Sequence, residues 1–94
     1  MNIIRVIWLR DIVDKLEWKH NVTPDEVEEV FSGRPRYQRI ARGHVQGEDV
    51  YGAFGRTLTG RRLAVFFIKK PDRAALVISA REMDDRERKQ YEQR

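Results

Sequence analysis

Six consecutive apolar residues, Leu63-Ala64-Val65-Phe66-Phe67-Ile68, form the longest such run in this 94-residue chain. Arginines precede the run, lysines follow it, and turn signals lie on both sides: Thr59-Gly60 before it and Pro71-Asp72 after it. An uninterrupted apolar run of this length suits a strand covered on both faces. It falls far short of the ~20 residues a membrane span needs. A chain this short cannot build two cores, so residues 1–94 are expected to form a single domain with this strand at its centre. The neighbouring segments fit around it. Asp49 to Leu58 alternates, with Val50, Phe54 and Leu58 on one side and Tyr51, Ala53 and Thr57 on the other. Ala74 to Arg81 reads as the last strand and Asn2 to Trp8 as the first. Arg36 to Arg42, with arginine on both faces, reads as an edge.

Helices fill the remainder. Asp11 to Lys19 is a short helix with Asp11 as its cap and an Ile12/Leu16 pair on one face. Thr23-Pro24-Asp25-Glu26 places Thr at the N-cap, Pro at the first helical position and Glu at the third, a capping box, with Gly33 and Pro35 as the stop. Asp84 with Glu87 caps a final helix to about Glu92. The order β-α-α-β-β-β-β-α predicts an α+β fold: a small, mainly antiparallel sheet of four to five strands, two N-terminal helices and one C-terminal helix. The helices at 11–19 and 23–32 are expected on one face. Val27, Val30, Phe31, Leu63, Val65, Phe67, Leu76 and Ile78 are the expected core.

The absence of cysteine removes disulfides, thiolate metal sites and Cys nucleophiles, and two histidines make a structural zinc site improbable. The start of the chain lacks the pattern of a signal peptide, so a cytoplasmic protein is expected. Net charge is +4, but its placement is uneven. Asp11 to Glu29 holds seven acids and two bases, whereas Arg34 to Arg62 holds seven arginines and two acids. Arginine's planar fork matches phosphate geometry better than lysine does. Arg36, Arg39, Arg42 and Arg61 are therefore candidate phosphate contacts for a polyanion.

Other residues carry candidate chemistry. Lys19-His20, before the capped helix, could exchange a proton with a phosphate ester, or be a helix-flanking surface dipeptide. Glu48, at the mouth of a strand, is a general-base candidate or a surface ion-pair partner. Arg56 and Arg81, late in their strands, could clamp a phosphate or merely solubilise strand ends. His44 reads as exposed, and Trp8 and Trp18 read as core or rim packing. No P-loop, dinucleotide fingerprint or acidic cluster for Mg²⁺ is present, so no cofactor or metal is expected.

Several stretches together resemble a known family. Lys19-His20-Asn21-Val22-Thr23-Pro24-Asp25-Glu26, running on to Glu29-Val30-Phe31, is similar to the Lys-His-Gly-Val-Ser-x-x-Glu stretch of BrnT-type toxins. Gly47-Glu48-Asp49, Gly55-Arg56-Thr57, Gly60-Arg61-Arg62-Leu63 and Val65 follow that family's glutamate before a strand and its Gly-Arg-Thr hairpin. Ile78-Ser79-Ala80-Arg81, Glu87-Arg88 and Tyr91 match its closing motifs, and Trp8 keeps the spacing of its early Trp. The resemblance implies a RelE-like fold, metal-independent cleavage of RNA, and a BrnA-like antitoxin with a ribbon-helix-helix domain. It also implies Lys19, His20, Glu48, Arg56 and Arg81 as catalytic residues, and on that reading Arg36, Arg39, Arg42 and Arg61 would be RNA-binding residues. Glu48 or His20 would be the base, His20 or Lys19 the acid, and Arg56 and Arg81 the charge stabilisers. The chain departs from the family pattern at Leu9, Ile12, Leu16 and Val50. The alternative these departures leave open is a non-catalytic protein- or RNA-binding module on the same fold.

Overall fold

A computed structural model describes residues 1–93. The elements are β1 (Arg5–Ile7), α1 (Arg10–His20), α2 (Pro24–Ser32), β2 (Arg36–Ala41), β3 (Val50–Arg56), β4 (Arg62–Lys70), β5 (Ala74–Glu82) and α3 (Asp85–Glu92). They make an α+β fold around a five-stranded sheet of order β1-β5-β4-β3-β2. The apolar run lies in β4, the middle strand, as its composition requires. β2 is an edge. The sheet is mixed: β2 to β5 are antiparallel neighbours, while β1 adds in parallel to β5 over Ala74–Leu76. β1 is shorter than the Asn2–Trp8 segment the sequence suggests.

Two layers of different character cover the sheet. On the inner face, α1 and α2 bury Leu16, Val27, Val30 and Phe31 against Ala53, Leu63, Val65, Phe67, Ala75, Val77 and Ala80. Phe67 is the centre of this core. It is fully buried, with Phe31, Tyr37 and Tyr51 ring centroids 5.3, 6.1 and 6.0 Å away. On the outer face lies α3, which buries none of its own residues. It rests over Phe54 and Phe66, whose rings meet edge to face at 6.4 Å.

The capping boxes form as the sequence predicts. The Thr23 side chain accepts the Glu26 N–H while the Glu26 carboxylate accepts from the Thr23 N–H. Asp84 and Glu87 repeat the arrangement at α3. The β3–β4 hairpin closes through Gly60, whose φ of 93° is costly for any residue with a Cβ.

Three expectations are corrected. Asp11 does not cap α1; the cap position is Leu9, with no side-chain hydrogen bond, and Asp11 sits in the first turn, where it complements the helix dipole. Leu76 and Ile78 are half-buried and are not core residues. β5 bulges there: Phe66 pairs with Ser79 but Phe67 pairs with Val77, leaving Ile78 as the extra residue. The bulge swaps the side-chain phase, so Ala75 and Val77 enter the core instead. Trp18 does not pack; two positions beyond buried Leu16 on α1, it points away from the sheet and is 78% exposed. Trp8, by contrast, packs against the core and donates from its indole N–H to Glu28 at 3.1 Å. Among the described residues, no helix is long and apolar enough to cross a membrane.

Candidate functional site

Charged side chains gather at two opposite rims of the sheet. One rim holds the C-terminal ends of β3 and β5 and the N-terminal ends of β2 and β4. Register places Arg56 opposite Arg62, Ala64 opposite Arg81 and Arg36 opposite Phe54. Strand alternation then sends Arg36, Arg56, Arg62 and Arg81 to the outer face, towards α3.

Most of these arginines are held by α3. The Arg81 guanidinium grips the Glu87 carboxylate with both arms, at 2.7 and 3.0 Å, and lies 5.2 Å over the Phe66 ring. Arg62 forms an ion pair with Glu92. Arg36 donates to the carbonyls of Gln90, Tyr91 and Gln93 at the C-terminal end of α3, at 2.6, 3.5 and 3.3 Å. Two negative charges and a set of orphan helix carbonyls therefore stand where a polyanion would otherwise sit. The hydrogen bonds from Arg81 hold the Glu87 carboxyl below its ordinary range, and the Glu87 carboxylate raises the Arg81 pKa in return. Arg56 is exposed, has no ion-pair partner among the described residues, and lines a shallow cleft with Arg62, Tyr91 and Glu92.

The other residues singled out by sequence lie elsewhere. Lys19 and His20 end α1 on the inner side of the same rim; Lys19 is exposed and His20 half-buried. Their position follows from Arg61, which ties the α1–α2 junction to the strand ends. Arg61 donates to the Asn21 carbonyl at 2.8 Å, to both Glu26 carboxylate oxygens at 2.8 and 2.9 Å, and to Glu82 at 3.0 Å. Its donors are spent on the protein itself. Glu48 precedes β3 and is at the opposite rim, paired with Lys70 at 3.1 Å. The β3 residues from Val50 to Gly55 separate that rim from Arg56, or about 20 Å of strand. Arg39, paired with Asp49 at 3.5 Å, and exposed Arg42 share the rim of Glu48. The five candidate catalytic residues thus divide into Arg56 and Arg81 on the outer face, Lys19 and His20 across the sheet at the same rim, and Glu48 at the far rim.

Sequence reasoning missed Glu87 as a site residue. As the third residue after Asp84 it reads only as a helix cap; its second role, as the partner of Arg81, depends on α3 folding back over the sheet. Among the described residues, no group of three or more His, Asp or Glu side chains is arranged to hold a metal ion.

Comparison with known proteins agrees with this architecture. The crystal structure of the Brucella abortus ribonuclease toxin BrnT superposes with a TM-score of 0.60 over 87% of this chain and 99% of that one, at 20% sequence identity. No curated protein matches the sequence. The family model for the ribonuclease toxin BrnT of type II toxin–antitoxin systems matches residues 8–87. With its β-α-α-β-β-β-β-α order and its sheet both accounted for, the chain belongs to the BrnT family of type II toxin–antitoxin ribonuclease toxins.

Proposed function

We propose that this protein cleaves RNA without a metal ion, at the outer rim that carries Arg56, Arg62, Arg81 and Glu87. The observation that carries the reading is that three arginines and two carboxylates, Glu87 and Glu92, stand on the outer face of one rim, beside the Phe54 and Phe66 rings. Cleavage by an internal 2′-hydroxyl needs a proton acceptor, charge opposite the phosphorane and a proton for the leaving oxygen. Glu87, ionised at neutral pH, takes the 2′-hydroxyl proton as that oxygen attacks phosphorus. Arg81 and Arg56 stabilise the pentavalent anion. The bond to the 5′ oxygen then breaks, and that oxygen takes a proton from water, since Lys19 and His20 lie across the sheet from Arg81. Glu48, about 20 Å of strand away and paired with Lys70, takes no part in the chemistry.

Membership of a toxin–antitoxin family implies an antitoxin partner. Its form in this reading is a ribbon-helix-helix protein that neutralises the toxin in the cytoplasm. A second reading, a binding module without catalysis, draws on one observation: Arg81 and Arg62 are already neutralised by α3 carboxylates.

Purified protein incubated with total RNA in excess EDTA separates the two. Cleavage is expected to persist, and Arg81→Ala and Glu87→Gln to lower its rate by roughly 10²–10³-fold with the fold intact. Glu48→Gln is expected to retain cleavage; its loss there would move the base to Glu48. RNA left whole at every protein concentration would leave the binding module as the correct reading.

A further inference from the structure

The outer face carries a second feature that phosphate chemistry does not use. Between α3 and the edge formed by β2 and β3 lies a half-open cavity of about 230 Å³. Phe54 and Tyr91 supply aromatic surface, Gln38 and Gln90 supply carboxamides, and Arg36 and Glu87 complete the wall. Both carboxamides are on exposed residues, and neither makes a hydrogen bond through its side chain to the protein among the described residues. Each carboxamide offers donors and an acceptor on one planar group, the pattern that matches the edge of a nucleobase.

The cavity borders the proposed cleavage rim. Glu87 lines the cavity and holds Arg81, while Tyr91 lines both the cavity and the cleft of Arg56 and Arg62. A nucleotide whose phosphate lies against Arg56 therefore has its neighbour's base within reach of Phe54 and Tyr91. Single-stranded RNA is read in this way, by a splayed base stacked on an aromatic ring and hydrogen-bonded at its edge. The far wall is rigid because Arg36 fastens the end of α3 through three carbonyls.

We propose that this cavity is a base-recognition pocket for single-stranded RNA, in which Gln38 and Gln90 read one unpaired base stacked against Phe54 and Tyr91. This rests on the outer rim being where RNA is cut, and it adds the source of sequence preference. Neither glutamine takes part in the proposed chemistry.

The test is an NMR titration of isotopically labelled protein with AMP, GMP, CMP and UMP, and with single-stranded tetranucleotides carrying each base. The side-chain amide signals of Gln38 and Gln90 should shift with one nucleotide at concentrations at least fivefold lower than with the other three. The matching tetranucleotide should bind at least tenfold more tightly than the mononucleotide. Gln38→Ala and Gln90→Ala should flatten the preference among bases to within about threefold while leaving the melting temperature unchanged. With a randomised RNA substrate, the same variants should lose the preferred base at one position. No shift at either glutamine with any nucleotide or oligonucleotide would overturn the pocket. Mononucleotide binding as tight as that of the tetranucleotide would mark a free-nucleotide site and overturn its role in RNA reading. Selective tetranucleotide binding in the pocket, with no cleavage by the wild type, would refute the ribonuclease reading and leave the pocket standing.

Discussion

Arg61→Ala separates an arginine that binds RNA from one that holds the fold. The side chain is 25% exposed and serves three acceptors at once: the Asn21 carbonyl, Glu26 and Glu82. Their contributions differ. Glu82, 67% exposed, is close to a surface pair and contributes about 0.5 kcal/mol or less. Glu26 is only 21% exposed and is held by both of its oxygens, so its charged hydrogen bonds dominate, at about 1–2 kcal/mol. The Asn21 carbonyl can turn to water once the arginine is gone and adds a few tenths. Truncation should therefore cost about 2 kcal/mol at pH 7. The pH profile supplies the check. Burial pushes the Glu26 carboxyl up, but the Thr23 N–H and the Arg61 guanidinium outweigh it, and the group lies below its ordinary 4.5. A carboxyl depressed in the folded state stabilises above its unfolded pKa and loses that contribution as pH falls through the folded one. The gap between wild type and Arg61→Ala should thus be constant from pH 7 to about pH 5 and narrow to roughly half below it. Urea unfolding across that range measures it. A loss under about 0.5 kcal/mol at pH 7, or a gap that does not narrow in acid, would refute the strut reading. RNA affinity falling with stability untouched would return Arg61 to the nucleic-acid face.

Three further outcomes are expected. Phe67→Ala removes the ring on which Phe31, Tyr37 and Tyr51 converge, and should cost about 3–5 kcal/mol in urea unfolding. Thr23→Ala breaks one half of the α2 capping box and should cost about 1 kcal/mol, seen as a melting temperature lower by several degrees. Arg56→Ala, at an exposed and unpaired position, should leave stability within about 0.5 kcal/mol and reduce the salt dependence of RNA binding by about one phosphate contact, read from binding isotherms at graded salt.

The sequence announced what depended on short-range physics. The LAVFFI run named the central strand because no other place in a small fold covers both faces. Thr23-Pro24-Asp25-Glu26 announced the start of α2 because its cap closes on itself within four residues. Less was legible where a residue's role depended on a distant partner. Lys19-His20 and Arg81 read as neighbours in a common site, yet the sheet lies between them, and only the register of β4 with β5 shows which face Arg81 takes. Glu48 reads as a base among arginines, yet its partner is Lys70 at the far rim, fixed by where the β2–β3 loop ends. Glu87 needed α3 to fold back onto the sheet. Trp18 read as packing because two-residue offsets on a short helix are ambiguous until Leu16 shows which side is buried.

The bulge at Ile78 has a consequence for how chains of this kind can change in length. Val77 and Arg81 are four residues apart, so in an unbroken strand they would share a face, and either the valine would leave the core or the arginine would enter it. The unpaired residue frees one from the other. Shortening the chain by Ile78 alone would turn β5 into a plain strand with every remaining side chain on its present face. Removing Leu76 would turn Ala75 outward and open the core. Relatives can therefore differ by one residue between Val77 and Ala80 and keep both faces intact. An alignment that forbids a gap at that point will put the wrong residue opposite Arg81.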